Sequence, residues 1–277
     1  MSPTRLAIVS DSHLSPRTPE AEDNWSAIVE HVAEVVPDLV VHLGDLSLDG
    51  ASEPDDLRFA RSQLDRLPVP WLAIPGNHDI GDNPSAATPP EEVVNIERCV
   101  RWNDLVGADR WSVELPDWSL VAINAQLIGS GLPAEDEQWE WLAEELGRQP
   151  AGQSIALVTH KPVAAEVAEL VAAPPYRFVP QSQAGPIVDH AADGAIDLVL
   201  SGHVHQYRRL EIGATVHVWA PTTWAVLPDD RQPILGVKRC GMLWLVLDAG
   251  AFDEALVEPR GVRQQTLGQD LPDPYLA

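Results

Sequence analysis

Five short apolar runs, each stopping abruptly at a polar residue, are the feature of this chain that most restricts its fold. Between the first three runs lie two segments with apolar residues at helical spacing, NWSAIVEHVAEVV and DDLRFARSQLDRL. Strands that alternate with helices predict an α/β fold built from layered sheets. The runs are RLAIVS before Asp11, DLVVHLG before Asp45, PVPWLAIPG before Asn77, SIALVT before His160 and AIDLVLSG before His203.

The second half of the chain predicts further strands and one clear helix. WSVEL and WSLVAIN, on either side of Pro116-Asp117, are typical of an antiparallel pair joined by a short turn. Residues 134–147 predict an amphipathic helix with an acidic first turn. The C-terminal third, from RRLEIG to EALVEP, has little helical periodicity. It predicts a second sheet built largely of antiparallel strands.

The organisation of the chain favours one domain, because no repeat, linker or low-complexity block interrupts it. We place this domain over residues 1–258 and treat residues 259–277 as a surface extension or a frayed tail. Residues 162–182 form a long connection that contains several prolines and follows a polar strand end. Substrate-selecting loops commonly lie in such a position.

The acidic balance of the chain restricts its partners. With 42 Asp and Glu against 18 Lys and Arg, the net charge of -24 disfavours both nucleic acid and membrane surfaces, which attract basic patches. The two cysteines, Cys99 and Cys240, lack metal-type spacing and predict buried small apolar residues. The apolar segment near the N-terminus is too short for a signal sequence or a membrane span. These features predict a cytoplasmic protein.

The polar residues at the five strand ends can act together, because loops at the carboxyl ends of strands converge on one crevice in open α/β folds. Carboxylate, amide and imidazole donors without thiolate suit Mn, Fe, Zn or Co rather than a structural zinc site. The donors are too many for one tetrahedral ion, which favours a pair of ions that share ligands, and a carboxylate such as Asp45 can bridge them. The full set is Asp11, His13, Asp45, Asn77, His78, His160, His203 and His205.

The order of these motifs resembles the signature of the calcineurin-like metallophosphoesterase family. The motifs are DSH at 11–13, GD at 44–45, GNHD at 76–79, TH at 159–160 and GHVH at 202–205. The resemblance implies a four-layer α/β/β/α sandwich of two mixed sheets flanked by helices, and it implies hydrolysis of phosphate esters. It also implies two metal sites: Asp11, His13, Asp45 and His205 hold one ion, and Asp45, Asn77, His160 and His203 hold the other.

Such a pair of ions has a clear chemistry. Two cations about 4 Å apart deprotonate a shared water near neutral pH and clamp the phosphoryl oxygens. Their charge also explains how an acidic protein accepts an anionic substrate. His78 would stand at the mouth of the site as a general acid for the departing alkoxide. For Asp79 two roles stay open: orienting the His78 imidazole for catalysis, or capping the local turn.

Motifs that this chain lacks narrow the choice between subgroups of the family and so restrict the substrate class. Purple acid phosphatases resemble this family but carry a tyrosine shortly after the bridging aspartate, where this chain has Leu46-Ser47-Leu48. The layout is closer to bacterial phosphodiesterases of the class III cyclic nucleotide type. That group often has a second histidine and two prolines after the lone histidine, whereas this chain continues from His160 with Lys161-Pro162-Val163.

We therefore expect a phosphodiesterase for a small phosphoester, with a cyclic nucleotide as one possibility. A phosphomonoesterase, a nuclease and a metal-free scaffold of the same fold are the alternatives. A nuclease would need DNA-binding regions, which neither the net charge of -24 nor the remaining residues supply. The oligomeric state stays open, with a homodimer as one option.

Several polar residues outside the motifs have more than one interpretation. His42 lies within VVHLGD and points away from its neighbours, which favours a satisfied buried histidine over a ligand. Tyr176 and Arg177 lie in the long loop after His160, where an arginine fork could match phosphate oxygens, although a surface arginine is the simpler interpretation. Asn124 either approaches the site or only ends its strand. The role of Lys161, beside His160, is equally open. His31, His190 and His217 receive no chemical role.

Overall fold

The computed structural model describes residues 2–85, 87–150, 152–163, 177–180 and 182–274. Its helices are α1 (Pro19–Val35), α2 (Pro54–Leu64), the single turn α3 (Asn77–Ile80), α4 (Ile96–Leu105), α5 (Pro133–Arg148) and α6 (Gly185–Ala192). Its strands are β1 (Thr4–Val9), β2 (Leu39–His42), β3 (Trp71–Ala73), β4 (Trp111–Leu115), β5 (Trp118–Ala122), β6 (Ser154–Val158), β7 (Leu198–Ser201), β8 (Arg208–Ile212), β9 (Thr215–Trp219), β10 (Met242–Asp248) and β11 (Ala251–Val257).

One sheet has the strand order β11-β10-β1-β2-β3. Strands β1, β2 and β3 run parallel, with Ala7 opposite Val40 and Val41 opposite Leu72. On the other side of β1, strand β10 runs antiparallel and places Leu245 opposite Leu6. Because parallel strands share one direction, the polar residues after β1, β2 and β3 lie at the same edge of the sheet.

The other sheet has the order β4-β5-β6-β7-β9-β8. Strands β5, β6, β7 and β9 are parallel neighbours, and only the two outer pairs are antiparallel. The prediction that the C-terminal third forms its own antiparallel sheet is therefore wrong: β8 and β9 join this sheet, whereas β10 and β11 join the first. Short apolar strands carry no signal for the sheet that they enter, because that choice depends on contacts distant in sequence.

The packing of the apolar side chains shows four layers, because each sheet packs against the other sheet on one face and against helices on its other face. In β1, Leu6 and Ile8 face the second sheet, whereas Ala7 and Val9 face α1, as expected for side chains that alternate along a strand. Both faces of β1 are buried, which explains its continuous apolar run. On the far side of the second sheet, Leu157 packs in one cluster with Leu142 of α5 and Ile187 of α6. The α/β/β/α sandwich is thus confirmed.

The shorter elements agree with the sequence in most details. The β4–β5 pair turns at Asp117, which has a left-handed φ of 61°. Helix α5 (Pro133–Arg148) covers the predicted 134–147 helix. Both cysteines are buried and unpaired by disulfide, and burial raises the pKa of Cys99 to about 12 and that of Cys240 to about 11. The prediction of buried cysteines is confirmed.

The described part of the C-terminal segment, residues 259–274, packs on the rest of the chain. Thr266 forms an isolated β-bridge with Val226, and the Asn24 side chain donates a hydrogen bond to the Arg263 carbonyl at 3.0 Å. Leu267 is 1% exposed within the core cluster of α1. The division at residue 258 stays a prediction. Within the described ranges, none of the helices combines the length and the apolar character needed to cross a membrane.

Candidate metal centre and active-site cleft

The predicted ligands meet where the carboxyl ends of strands from both sheets face each other. The first sheet supplies Asp11 and His13 after β1, Asp45 after β2, and Asn77 after β3. The second sheet supplies His160 after β6 and His203 and His205 after β7. Three groups each place their possible ligand atoms within 4.8 Å of one another: Asp11, His13 and His205; His13, Asp45 and His78; and Asp45, His160 and His203.

The backbone at this edge is in an unusual conformation. Among the described residues, eight non-glycine residues have positive φ, and five of them belong to the predicted ligand set. Such a conformation costs about 1–3 kcal/mol per residue and survives only where surrounding contacts impose it. Here the Asp11 N–H donates to the Gly44 carbonyl at 3.0 Å, and the His13 N–H donates to the Asp45 carbonyl at 3.1 Å. The five residues are Asp11, His13, Asp45, His203 and His205.

Two glycines in the motifs are required by close packing of these loops. A Cβ on Gly76 would lie 2.1 Å from the Asp45 Oδ1 atom, and a Cβ on Gly44 would lie 2.6 Å from His160 Nδ1. Gly44 also has a φ of 101°, which residues with side chains rarely adopt. The glycines therefore let the ligand loops approach each other.

Around His205, several nitrogen and oxygen atoms that can bind a metal lie close together. Its Nδ1 atom lies 2.7 Å from the Ala225 carbonyl, which only accepts, so Nδ1 carries the proton and the neutral ring leaves a lone pair on Nε2. That Nε2 lies 3.3 Å from Asp11 Oδ1 and 3.2 Å from His13 Nε2. Burial lowers the pKa of His205, but the Asp11 carboxylate outweighs burial and the pKa is raised.

A second convergence surrounds His160. Its Nδ1 atom lies 2.7 Å from the Leu43 carbonyl, so its Nε2 lone pair points at Asp45 Oδ2, 3.2 Å away, and at Asn77 Oδ1, 3.3 Å away. Burial works against protonation of this ring, yet the Asp45 carboxylate raises the pKa of His160 to about 9. The Nε2 atom of His203 is buried beside it and makes no hydrogen bond within the described part of the chain.

These residues fit a pair of cations. Each convergence brings nitrogen and oxygen atoms that are able to bind a metal to within hydrogen-bond distance of one another, so that a shared proton or a metal ion fits between them. Asp45 Oδ2 lies 3.2 Å from His160 Nε2 and 3.9 Å from His13 Nε2, so one oxygen faces both convergences. Although burial opposes ionisation, His160 and His78 hold the pKa of Asp45 well below its usual range. A carboxylate ionised at neutral pH is what a bridging ligand must be.

His78 stands at the edge of this centre. Its main-chain N–H donates to Asp45 Oδ1 at 2.9 Å, and its ring contacts the ring of His13 edge-on with centroids 4.6 Å apart. Its Nδ1 atom lies 2.9 Å from the Leu48 carbonyl, which fixes the proton on Nδ1. Nε2 is then the nitrogen that can exchange a proton with a group in the cleft that His78 lines.

The contacts of Asp79 favour the turn-capping alternative. Its buried carboxylate accepts hydrogen bonds from the main-chain N–H groups of Leu46, Ser47 and Gly76 at 3.1, 2.9 and 2.9 Å, and from the Ser47 hydroxyl at 2.6 Å. It thereby ties the loop after β2 to the loop after β3. Burial, together with the charge of Asp45, raises the pKa of Asp79 to about 6. These bonds do not support the predicted catalytic role beside the His78 imidazole.

His42 is a buried histidine outside the ligand groups, as the sequence predicts. Its Nδ1 atom accepts from the Gly44 N–H at 3.2 Å, so its Nε2 donates to the Ser12 hydroxyl at 2.9 Å. The Ser12 hydroxyl donates in turn to the Leu46 carbonyl at 3.1 Å. Burial lowers the pKa of His42 to about 3. A neutral His42 therefore links the loops that carry the predicted ligands.

The ligand groups open into a cleft of about 340 Å³. A neighbouring cavity of about 420 Å³ shares four residues with it, so the two cavities adjoin there, and we call them the first and the second arm of the cleft. The first arm contains Arg177, Leu227, Arg231 and Leu267; the second contains Arg17, Leu48, Asp49, Ser52 and Arg98; and the shared residues are Asn77, His78, Asp82 and Glu92.

The remaining predictions have mixed outcomes. Arg177 lines the cleft and is 5% exposed, so the simpler interpretation as a surface arginine is wrong. Lys161 is buried in an ion pair with Asp82. The Asn124 side chain donates a hydrogen bond to Asp109 and accepts one from the Gln126 N–H, so Asn124 ends its strand. Tyr176 lies outside the described residues, as does most of the 162–182 connection.

Sequence reasoning missed three residues that line the cleft beside the candidate metal centre. Asp82, Arg231 and Leu267 belong to no motif and follow no strand in the pattern that marked the ligands. The only available signal was the position of Asp82 six residues after Gly76 in the same glycine- and asparagine-rich stretch.

Residues 4–207 match the family model of the calcineurin-like phosphoesterases. The chain belongs to this family, whose members use divalent metal ions, and it is a phosphoester hydrolase. It is 28% identical over 237 residues to a probable cyclic nucleotide phosphodiesterase of Synechococcus, covering 83% of this chain and 82% of the relative. It is 22% identical to a 3',5'-cyclic-nucleotide phosphodiesterase of Nostoc, covering 80% of this chain and 79% of that protein.

A solved structure shows the same fold at greater distance. The purple acid phosphatase of yellow lupin superposes with a TM-score of 0.65 and 15% identity, covering 97% of this chain and 55% of the lupin chain. This chain thus spans about half the length of the lupin enzyme, and the likeness concerns the fold alone. The two-sheet sandwich derived from packing agrees with it.

Proposed function

We propose that this protein is a dinuclear metal-dependent phosphodiesterase for small phosphoesters. The observation that carries this proposal is the pair of cavity arms that meet at Asn77 and His78 beside the convergent ligands. A phosphodiester has two substituents on its phosphorus, and both need room on opposite sides of the reacting atom. A phosphomonoester would fill only one arm.

For the metal centre we propose the ligand sets implied by the motifs. Asp11, His13, Asp45 and His205 hold one ion, whereas Asp45, Asn77, His160 and His203 hold the other. When bound, the two ions supply an activated water and neutralise the phosphoryl charge. The nitrogen and oxygen donors suit Mn, Fe, Zn or Co. The convergent lone pairs at His205 and His160, and the unbonded Nε2 of His203, support this assignment.

The protein residues around the centre have separate tasks. His78 Nε2 donates a proton to the departing ester oxygen, since Nδ1 is committed to the Leu48 carbonyl. A positioned acid of this kind contributes about 10²- to 10⁴-fold to the rate. Asp79 holds the Asp45 and Asn77 loops in register through its four hydrogen bonds and acts as a positioning residue.

A cyclic nucleotide is the substrate that the names of the Synechococcus and Nostoc relatives suggest. The place after His160, where the class III group often has a second histidine, holds Lys161 in an ion pair with Asp82. Asp82 is one of the four residues shared by both arms, so the ion pair with Lys161 holds a carboxylate that lines both arms.

A substrate panel tests the proposal. The Mn²⁺-loaded protein is assayed with bis-p-nitrophenyl phosphate, p-nitrophenyl phosphate, cyclic AMP and single-stranded DNA. We expect kcat/KM for the diester to exceed that for the monoester, with single-stranded DNA the poorest substrate. A monoester preference would replace the proposal with a phosphomonoesterase. Protein that binds two ions but hydrolyses none of the four would instead point to a scaffold.

A further inference from the structure

The two arms of the cleft share two carboxylate residues, Asp82 and Glu92. Among the described residues, the four that line both arms include no lysine and no arginine. The arginines of the cleft each line one arm only. Carboxylates therefore mark the place where the arms adjoin, and arginines occur only in the parts that the arms do not share.

Asp82 is held in place through both its main chain and its side chain. Its main-chain N–H donates to the Glu92 carbonyl at 2.8 Å, and its carbonyl accepts from the Val94 N–H at 2.9 Å. Its Oδ1 atom accepts a hydrogen bond from the Asn83 N–H at 2.7 Å and forms an ion pair with Lys161. These contacts fix the position of the Asp82 carboxylate at the cleft.

The ion pair of Asp82 with Lys161 has a direction. The Lys161 side chain is 1% exposed and lines neither arm, whereas the Asp82 side chain is 19% exposed and lines both. A molecule in the cleft therefore meets the carboxylate, and the ammonium lies on the buried side of the pair. The pair adds no net charge, but it presents its negative end to the cleft.

A phosphomonoester and a phosphodiester differ in charge at this place. A diester carries one negative charge, whereas a monoester carries close to two at neutral pH, because its second pKa is about 6. With the phosphorus beside the predicted ligands, the additional anionic oxygen of a monoester takes the position of the missing substituent. That position belongs to one arm or the other, and both arms contain Asp82 and Glu92. Like charges repel each other more strongly where little water screens them.

We propose that Asp82 and Glu92 are specificity-determining residues that exclude the second negative charge of a phosphomonoester, so that the cleft accepts monoanionic diesters and releases the monoester product. Lys161 is a positioning residue that holds Asp82. This inference rests on the proposed function, and it adds a selection by charge to the selection by room for two substituents. Specificity then comes partly from a repulsive contact with the wrong ligand.

Two non-hydrolysable probes that differ by one charge test this proposal: phenylphosphonate and its monomethyl ester. Their Kd values for the metal-loaded full-length protein are measured by calorimetry at mildly alkaline pH, where phenylphosphonate is a dianion. We expect Asp82→Asn to lower the ratio of the phenylphosphonate Kd to the methyl ester Kd by about tenfold. Glu92→Gln should lower this Kd ratio by about threefold, because Glu92 is exposed and water and salt screen its charge.

Glu91→Gln is the matched control for both variants. It removes the same charge from the residue next to Glu92, and Glu91 lines neither arm. We expect its Kd ratio to equal that of the wild type, and we expect all three variants to keep the metal content of the wild type. Kd ratios for Asp82→Asn and Glu92→Gln within about twofold of the control overturn the exclusion by charge.

A double variant keeps the test decisive, because Asp82→Asn alone leaves a buried ammonium without its partner and destabilises the protein. Asp82→Asn combined with Lys161→Met removes both charges and leaves the net charge of the chain unchanged. The negative end of the pair is lost from the cleft in this variant too. We therefore expect its Kd ratio to fall by about threefold. A wild-type Kd ratio in the double variant would overturn the role of the oriented pair.

Ionic strength provides a readout that a purely structural role would not move. Added salt screens the repulsion between Glu92 and the dianionic probe. The difference in Kd ratio between the wild type and Glu92→Gln should therefore shrink when NaCl is raised from about 0.05 M to about 0.5 M. A difference that is the same at both salt concentrations would indicate a change of shape and would overturn the electrostatic explanation.

The outcome is separable from that of the proposed function. A wild-type protein that prefers the diester, combined with variants whose Kd ratios equal that of the control, rejects only the inference about charge. A wild-type protein that prefers p-nitrophenyl phosphate, or that hydrolyses none of the esters, rejects the phosphodiesterase proposal. In that case the Kd ratios of the variants still decide whether Asp82 and Glu92 repel a dianion.

Discussion

The loops that carry the predicted ligands and the walls of the cleft are built in different ways. In the ligand loops, five residues adopt positive φ, and main-chain hydrogen bonds such as Asp11 N–H to Gly44 carbonyl hold them. In the walls, side chains meet across long sequence distances, as in the contact of Arg177 with Arg231 and the ion pair of Arg231 with Asp273. The first region is rigid by backbone geometry, and the second depends on side chains.

This difference separates chemistry from selectivity. A metal pair needs its ligand atoms fixed within narrow limits, and backbone geometry with close glycine contacts provides such limits. Substrate contacts are commonly made by loops on a rigid scaffold, and walls made from loop side chains can change without disturbing the ligand loops. We therefore expect large losses of activity from changes in the ligand loops, and losses mainly in substrate affinity from changes in the walls.

Asp45→Ala is expected to give the largest effect, because one carboxylate oxygen faces both convergences. We expect both ions to be lost together and turnover to fall about 10³-fold or more, since the metal pair supplies several kcal/mol of transition-state stabilisation. Metal content and diester turnover are measured together. Asp248→Ala, at the exposed end of β10, is the control. Retention of one full equivalent of metal would refute the bridging role.

His78→Ala is expected to separate catalysis from metal binding. The variant should keep its metal content, whereas kcat should fall about 10²- to 10⁴-fold because the acid that protonates the leaving group is gone. The fall in kcat should be smaller for bis-p-nitrophenyl phosphate than for an alkyl diester, because p-nitrophenolate leaves without protonation. His31→Ala on α1 is the control. Wild-type kcat for the alkyl diester would remove the proposed acid role.

Gly76→Ala tests whether the ligand loops depend on close backbone packing. The added Cβ would lie 2.1 Å from Asp45 Oδ1, so we expect the free energy of unfolding to fall by about 1–3 kcal/mol, with weaker metal binding. Gly147→Ala in α5 is the matched control, because its Cβ would meet no atom within 4 Å. That change should be neutral or stabilise the protein by up to about 1 kcal/mol. Equal stabilities of the two variants would show that the loops are not tightly packed.

His42 predicts a smaller, pH-dependent effect. Its pKa is about 3 in the folded chain against an ordinary value of 6.5, so folding favours the neutral ring. Its contribution to stability is complete above pH 6.5 and is lost as the pH falls from there towards 3. Between pH 7 and 4.5, metal-free wild type should lose on the order of 2 kcal/mol more than His42→Gln in urea unfolding. Parallel pH dependences would contradict this buried neutral state.

The sequence predicts the ligand loops better than it predicts the walls of the cleft. The predicted ligands were readable because they follow five apolar strands, and the parallel order of β1, β2 and β3 then brings three of these strand ends together. The layered α/β class followed from the same alternation. The role of Asp79 stayed open, because the sequence does not distinguish a carboxylate that accepts a hydrogen bond from the neighbouring histidine ring from one that accepts from the main chain. Its four hydrogen bonds depend on how two loops approach.

The remainder depends on contacts that no local pattern records. Strands β8 and β10 both come from the C-terminal third yet enter different sheets, because the strand that each one pairs with is set by the whole sandwich. Arg177, Arg231 and Asp273 lie far apart in the chain, and each by itself reads as a surface residue. Only the fold shows that Arg177 and Arg231 line the same cleft and that Asp273 pairs with Arg231.

Metal analysis of protein purified without chelator tests the central claim most directly. The account predicts close to two transition-metal ions per chain, and removal followed by reconstitution should restore both ions and diester hydrolysis together. Protein that contains no metal and binds none on reconstitution, while keeping its fold, would contradict the claim that the convergent ligands at Asp45, His160 and His205 form a dinuclear centre.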